Sequence, residues 1–300
     1  MASRCPRRYD CAMDFADRLV DAQKQKRSPL VLGVDPQLDR PGAPGIPANA
    51  SLTRFCCDII EACAEFVVAV KPQLAFFEAR GLEGMTAFAQ VVRFAKSRGL
   101  ITIADAKRGD IGTTSAAYAE AFLGEGDFAC DAVTVNPYLG SDALAPFVAR
   151  VRAGRGLFVL VKTSNPSSGE FQDLSAGGRP VWEAVAERVN GWGSDFVGKC
   201  GLSSVGAVIG ATYPAQAARA RALMPAAVVL APGFGAQGAG AQDAVASARP
   251  DGLGVIVNAS RSLMYASGAA ADGSPALAAG RAAATMCDEL NRALASHCGS

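Results

Sequence analysis

The stretch Leu100-Ile101-Thr102-Ile103-Ala104-Asp105-Ala106-Lys107-Arg108-Gly109-Asp110 changes character at its midpoint. Its first half is apolar at nearly every position, without the alternation of a half-buried strand. That pattern suits a strand covered on both faces, as in a parallel sheet. Its second half carries four charges in six residues. Charge at the end of a buried strand is costly unless it is paired or put to use.

The same grammar recurs along the chain. Apolar runs stand at VLGVD (31–35), FVVAVK (66–71), DAVTVNPY (131–138), GLFVLVKTS (156–164), VGAVIGA (205–211), AVVLAPG (227–233) and GVIVNAS (254–260). Each ends in a polar, Gly or Pro step. Between them lie alanine-rich stretches of helical composition: 53–65, 84–99, 113–124, 141–151, 181–193, 214–224 and 241–249, with a last one over 276–296. Eight strands alternating with helices predict a (β/α)8 TIM barrel, an α/β fold in one domain. A doubly wound open sheet is the other reading, but it calls for a switch point or linker that the chain lacks. The domain is expected over residues 13–300 with a closing C-terminal helix. Residues 1–12 read as a disordered tail or an expression remnant.

A barrel predicts that polar residues at the carboxyl ends of its strands converge. Asp35, Lys71, Asp105, Lys107 and Lys162 all stand at such ends. Strand alternation puts Asp105 and Lys107 on one face, and Asp110 follows past Gly109. Two carboxylates beside one ammonium hold a lysine charged and oriented, as a proton donor requires. A solvated turn or a structural ion pair is the plainer reading of the same residues. The run APGFGAQGAG (231–240) contains Gly233-x-Gly235-x-x-Gly238, formally a dinucleotide fingerprint. Asp251, the acidic candidate, precedes the next strand instead of ending it. A glycine turn offering bare N–H groups to a phosphate fits better. Gln237 and Arg261 would complete that grip, with a surface turn as the plain alternative. The Ser/Gly segment 163–180 follows the fifth strand, on the face where lids form. Residues 36–50 make a Pro/Gly-rich loop after the first.

Composition narrows the chemistry. The 300 residues are 50% hydrophobic and carry 29 basic against 28 acidic side chains. Disorder is excluded, and no basic excess points to nucleic acid or a membrane surface. The single histidine, His297, lies four residues from the end, which removes Ser–His–Asp, Cys–His and His-ligated metal chemistry from consideration. Nine cysteines without a C-x-x-C pair read as free thiols in a reducing compartment, and no secretory signal or spanning run is visible. A cytoplasmic protein is expected.

The residues 105–114, DAKRGDIGTT, resemble the catalytic segment of the orotidine 5′-phosphate decarboxylases. The likeness extends in order through LGVDP, AVKPQLAFFE, VNPYLG, VKTSNPSSGEF, APGFGAQGA and VNASRSLMY, over most of residues 14–265, in the spelling of the longer bacterial subgroup. It implies conversion of orotidine 5′-phosphate to UMP and CO2, with neither cofactor nor metal, by a homodimer. By position, Lys107 is then the proton donor to C6 and Asp105 the neighbour of the departing carboxylate. Lys71 and Asp35 complete the charge network and bind ribose. Asp110 and Thr114 reach the neighbouring subunit's site. Ser164 contacts the pyrimidine, while Gln237, Arg261 and the backbone of Gly233, Gly235 and Gly238 hold the phosphate. Two rivals remain. A Mg²⁺-dependent sugar-phosphate lyase or decarboxylase would use the D-x-K-x-x-D segment on a metal, but places an acidic residue where this chain has Lys71. A non-catalytic barrel would bind nucleotide phosphates without turnover.

Overall fold

The computed structural model describes residues 14–37, 51–235, 238–266 and 274–299. The N-terminal dozen, most of the Pro/Gly loop 36–50, and Gln237 fall outside them. All eight anticipated strands are present: β1 Leu30–Val34, β2 Ala69–Pro72, β3 Ile101–Arg108, β4 Ala132–Val135, β5 Gly156–Lys162, β6 Ser203–Ile209, β7 Ala227–Pro232 and β8 Val255–Ala259. Each pairs in parallel with the next, and β8 pairs with β1 through Leu30–Val257, Val31–Asn258 and Leu32–Ala259. The sheet therefore closes, and no open edge or switch point remains. The alternative of a doubly wound sheet falls with that closure. Helices follow the strands, as a right-handed crossover between parallel neighbours requires.

Continuous apolar runs make sense in this geometry because both strand faces are covered. Val31, Ala69, Ile103, Phe158, Val208, Leu230 and Ile256 fill the interior, while Leu32, Val70, Val133, Val159, Val229 and Val257 pack outward against the helices. The amino ends of the strands are closed by a helix not anticipated from sequence, Phe15–Lys26. Phe15 meets Phe158 edge-on at 5.9 Å. A side chain at Gly156 would lie 2.5 Å from the Phe15 ring, so the foot of β5 must be glycine. Arg18 pairs with Asp131 at 2.8 Å, and the Asp17 carboxylate accepts from the Lys199 and Cys200 amides. These bonds pin the plug to the amino ends of β4 and β6.

The C-terminal helix, Pro275–Cys298, is opened by the Ser274 cap and packs on helix Leu52–Cys63. The expected helix over 241–249 is only Ala241–Ala244. The chain continues in turns over 245–247, where the Ser247 carbonyl accepts from Arg221 Nε at 2.8 Å. The segment 163–180 is folded: a short helix, Gly169–Gln172, then a small hairpin pairing Ser175–Ala176 with Arg179–Pro180. The seven described cysteines are free thiols, and no described helix is long and apolar enough to cross a membrane.

Candidate active site

A cavity of about 390 Å³ opens at the carboxyl ends of the strands. Asp35, Lys71, Asp105, Lys107, Ser164, Gly233 and Arg261 line it, joining residues from β1, β2, β3, β5, β7 and β8. Gly235 and Gly238 continue the turn behind Gly233. Asp110 and Thr114 do not line the cavity. Asp110 accepts a local bond from the Ile111 amide at 2.7 Å, and Thr114 is exposed on helix Gly112–Leu123.

Asp105 is the hub. Its Oδ2 accepts from Lys71 Nζ and from Gln73 Nε2 at 2.9 Å; its Oδ1 accepts from Lys107 Nζ and from Thr134 Oγ1 at 3.0 Å. The residue is 6% exposed. Burial alone would push its carboxyl up, but the Lys71 and Lys107 ammoniums outweigh it and hold the group well below the usual carboxylate range. Lys71 is equally buried. Desolvation would pull its ammonium down, yet Asp105 and Asp35 together hold it above the ordinary lysine value. Asp35 goes the other way: burial raises it, and Lys71 and a Ser260 hydrogen bond only partly offset that.

Lys107 departs from simple strand alternation. Its φ is +48°, a left-handed conformation costing a non-glycine residue about 1–2 kcal/mol. The cause is an irregularity in β3. Between the pairs Ala104–Val133 and Arg108–Val135, β3 advances four residues while β4 advances two. The surplus lifts Lys107 out of the ladder, and its half-exposed ammonium returns to Asp105. Sequence alternation put the two residues together correctly, but through a bulge and not a flat strand.

At the opposite wall, Gly233, Gly235 and Gly238 have φ of +109°, +77° and +86°. Such values favour glycine, and the Gly235 amide donates across the turn to the Ala239 carbonyl at 3.3 Å. The Gly238 amide closes the turn on the Gly235 carbonyl at 3.2 Å. Arg261 opens the short helix Arg261–Met264 beside it. The turn and the Asp105 hub thus face one space, with paired charge at one end and the glycine turn with Arg261 at the other.

Three features escaped the sequence reading. Gln73 and Thr134 brace Asp105 as described. Lys162, noted only as a charged strand end, is fully buried and grips both carboxylate oxygens of Asp173 at 2.8 Å. Its ammonium also lies 4.7 Å from the centre of the Tyr213 ring. Gln172 bonds the Thr163 amide at 2.9 Å. These contacts buckle the root of the 163–180 segment around Ser164. A salt-bridging partner eleven residues away on a loop gives no periodic signal.

Comparison with known proteins decides the lineage. A family model described as Orotidine 5'-phosphate decarboxylase / HUMPS family matches residues 28–274. The chain belongs to that family. An orotidine 5'-phosphate decarboxylase of Rhodopirellula baltica is 44% identical over 269 residues, covering 85% of this chain and 89% of that protein. One of Deinococcus radiodurans is 44% identical over 282 residues, covering 93% and 98%. The solved structure of Leishmania donovani OMP decarboxylase superposes with a TM-score of 0.76 at 36% identity, covering 94% of this chain and 99% of that one. The family match, like the resemblance, includes the Asp105, Lys107 and Arg261 segments.

Proposed function

We propose that the protein decarboxylates orotidine 5′-phosphate to UMP and CO2, the closing step of pyrimidine nucleotide synthesis. One observation carries the reading. A Lys71–Asp105–Lys107 chain of charge, buried at Lys71 and Asp105, and a phosphate-suited glycine turn with Arg261 line the same cavity. In this reading the nucleotide phosphate sits on the turn amides and the Arg261 guanidinium, whose forked donors suit it. Gln237 is assigned to the same grip. Asp35 and Lys71 take the ribose hydroxyls, and Ser164 meets the pyrimidine. The ring then lies with C6 toward Lys107 and its carboxylate toward Asp105.

Chemistry follows from that orientation. The bond from C6 to the carboxyl carbon breaks, CO2 leaves, and the electron pair stays on C6 in an orbital the ring cannot delocalise. Lys107 Nζ delivers a proton to that pair and is reprotonated from solvent. A full charge about 4 Å from the developing carbanion is worth roughly 4 kcal/mol at an effective dielectric of 20. Large enzymatic accelerations need on the order of 20 kcal/mol. The remainder must come from binding energy at the phosphate end, used to close the 163–180 segment and dehydrate the reacting end.

A homodimer completes the reading. Asp110 and Thr114 lie outside the cavity of their own chain, and exposed Ile111, Tyr138 and Leu139 accompany them on the loops after β3 and β4. An apolar rim around polar residues suits a second copy, into whose site Asp110 and Thr114 would reach. Free thiols fit a cytoplasmic setting. Both oxygens of Asp105 accept from lysine ammoniums, and Lys71 stands where a metal-dependent lyase carries an acidic residue, which argues against a cation there. Loss of absorbance on adding orotidine 5′-phosphate, with and without EDTA, tests the reading. Turnover indifferent to chelator is expected. Turnover abolished by EDTA would favour the metal-dependent lyase, and tight UMP binding without turnover the non-catalytic barrel.

A further inference from the structure

Thr134 is the one hydroxyl in the β4 run Ala132-Val133-Thr134-Val135, and it is buried to 1% exposure. A valine would fill the same volume, so packing does not explain it. Its oxygen is bonded to capacity. It accepts the Ala106 amide at 3.0 Å and the Lys107 amide at 3.0 Å, and donates to Asp105 Oδ1 at 3.0 Å. Those two amides lie in the bulged stretch of β3, between the last regular pairs with β4. The hydroxyl substitutes for the missing ladder acceptors and would leave two N–H groups unbonded if removed. From the other side, Arg108 Nη1 donates to the Ala106 carbonyl at 3.0 Å. The left-handed turn at Lys107 is therefore clamped on both flanks, and the Thr134 clamp is tied directly to Asp105.

We infer that Thr134 is a positioning residue for proton transfer: its hydroxyl holds Lys107 in the left-handed conformation and fixes the Asp105 oxygen that the ammonium faces. This rests on the decarboxylase reading above. Strained backbone persists only where its surroundings over-determine it, and it clusters where geometry serves function. A misplaced donor affects the reacting step more than ligand affinity, because the phosphate end is untouched.

Thr134→Val and Thr134→Ser separate the hydroxyl from the methyl. With orotidine 5′-phosphate, Thr134→Val should lower kcat by about 10- to 100-fold, the range for losing a hydrogen bond to a charged group. KM and UMP affinity should stay within about threefold, and the circular-dichroism spectrum should be unchanged. Thr134→Ser should recover most of the rate. Equal losses in both variants, or a wild-type kcat in Thr134→Val, would overturn the inference. Should the wild-type protein show no turnover, the activity reading fails and the crystal structure of Thr134→Val decides this one. A Lys107 φ that leaves the positive region supports the clamp; one that stays near its present value refutes it.

Discussion

The two ends of the cavity are built on different principles. At the β2–β4 end, the four donors on Asp105 come from side chains, and three of the five residues in the network, Lys71, Asp105 and Thr134, are buried. Nothing there needs to move for the charges to be in position. At the β7–β8 end the elements proposed for phosphate recognition are backbone and a guanidinium. Among the described residues the glycine turn is closed by the Gly235–Ala239 and Gly238–Gly235 backbone bonds, and the 163–180 segment is fastened at its root by Asp173 and Gln172. The contrast separates preorganisation from recruitment. The first end stores its electrostatic work in the fold, so that no reorganisation is needed during reaction. In the proposed function the second converts ligand binding into closure.

Breaking the first end should have the largest effect. Lys107→Ala removes the proposed proton donor and half the cationic bracing of Asp105. Turnover of orotidine 5′-phosphate should fall by on the order of 10⁴-fold, the upper range for a positioned general acid, while UMP still binds measurably. A loss below tenfold would remove Lys107 from the chemistry. Breaking the second end should act at a distance. Arg261→Ala should lower kcat/KM by about 10²- to 10³-fold, the scale of a forked charged contact. In the wild-type enzyme, free phosphite should partly restore turnover of a substrate lacking the phosphate. No response to phosphite would mean that the phosphate end does not drive closure.

The first end was also the more legible in sequence. Apolar runs without alternation gave the strands, because burial on both faces leaves no polar stripe, and the charges at their ends then had to converge once the sheet closed. Thr134 stayed hidden because threonine and valine fill a strand alike. Lys107's left-handed backbone stayed hidden because a bulge arises from the register between two strands, which neither strand encodes alone. The plug helix Phe15–Lys26 was missed for a related reason. Its burial depends on Phe15 meeting Phe158 and on a missing side chain at Gly156, over a hundred residues away. At the second end, glycine spacing suggested the turn, but the Lys162–Asp173 fastening joins a strand to a loop and leaves no periodic trace.

That fastening offers a way to sharpen the contrast. Asp173 is half-exposed, whereas Lys162 is buried beneath it. Asp173→Asn should loosen the root of the segment without touching the Asp105 hub. We expect kcat/KM to fall by about tenfold, in the range for breaking a partly buried charged hydrogen bond, and proteolytic cleavage within residues 163–180 to quicken. Unchanged kinetics together with unchanged cleavage would reduce the pair to a structural tie.

The smallest expected effect concerns stability, and it isolates the first end from catalysis altogether. Asp105 is held below the ordinary carboxylate range in the folded protein, so it stabilises the fold fully above its unfolded value near 4. As pH falls below about 4, the unfolded chain takes up a proton that the folded one refuses, and this contribution declines. Asp35 has the opposite sign. Its carboxyl is raised by burial, so the folded form protonates first and its charging cost is relieved on acidification. Urea unfolding of Asp105→Asn beside the wild type reads the Asp105 contribution. The variant should be markedly less stable at pH 7, where Lys107 loses its counter-charge and Lys71 keeps only Asp35, and the gap should narrow steadily from pH 4 to pH 3. A gap independent of pH would mean that Asp105 contributes by packing and not by charge, and the preorganised end would lose the electrostatic basis that distinguishes it.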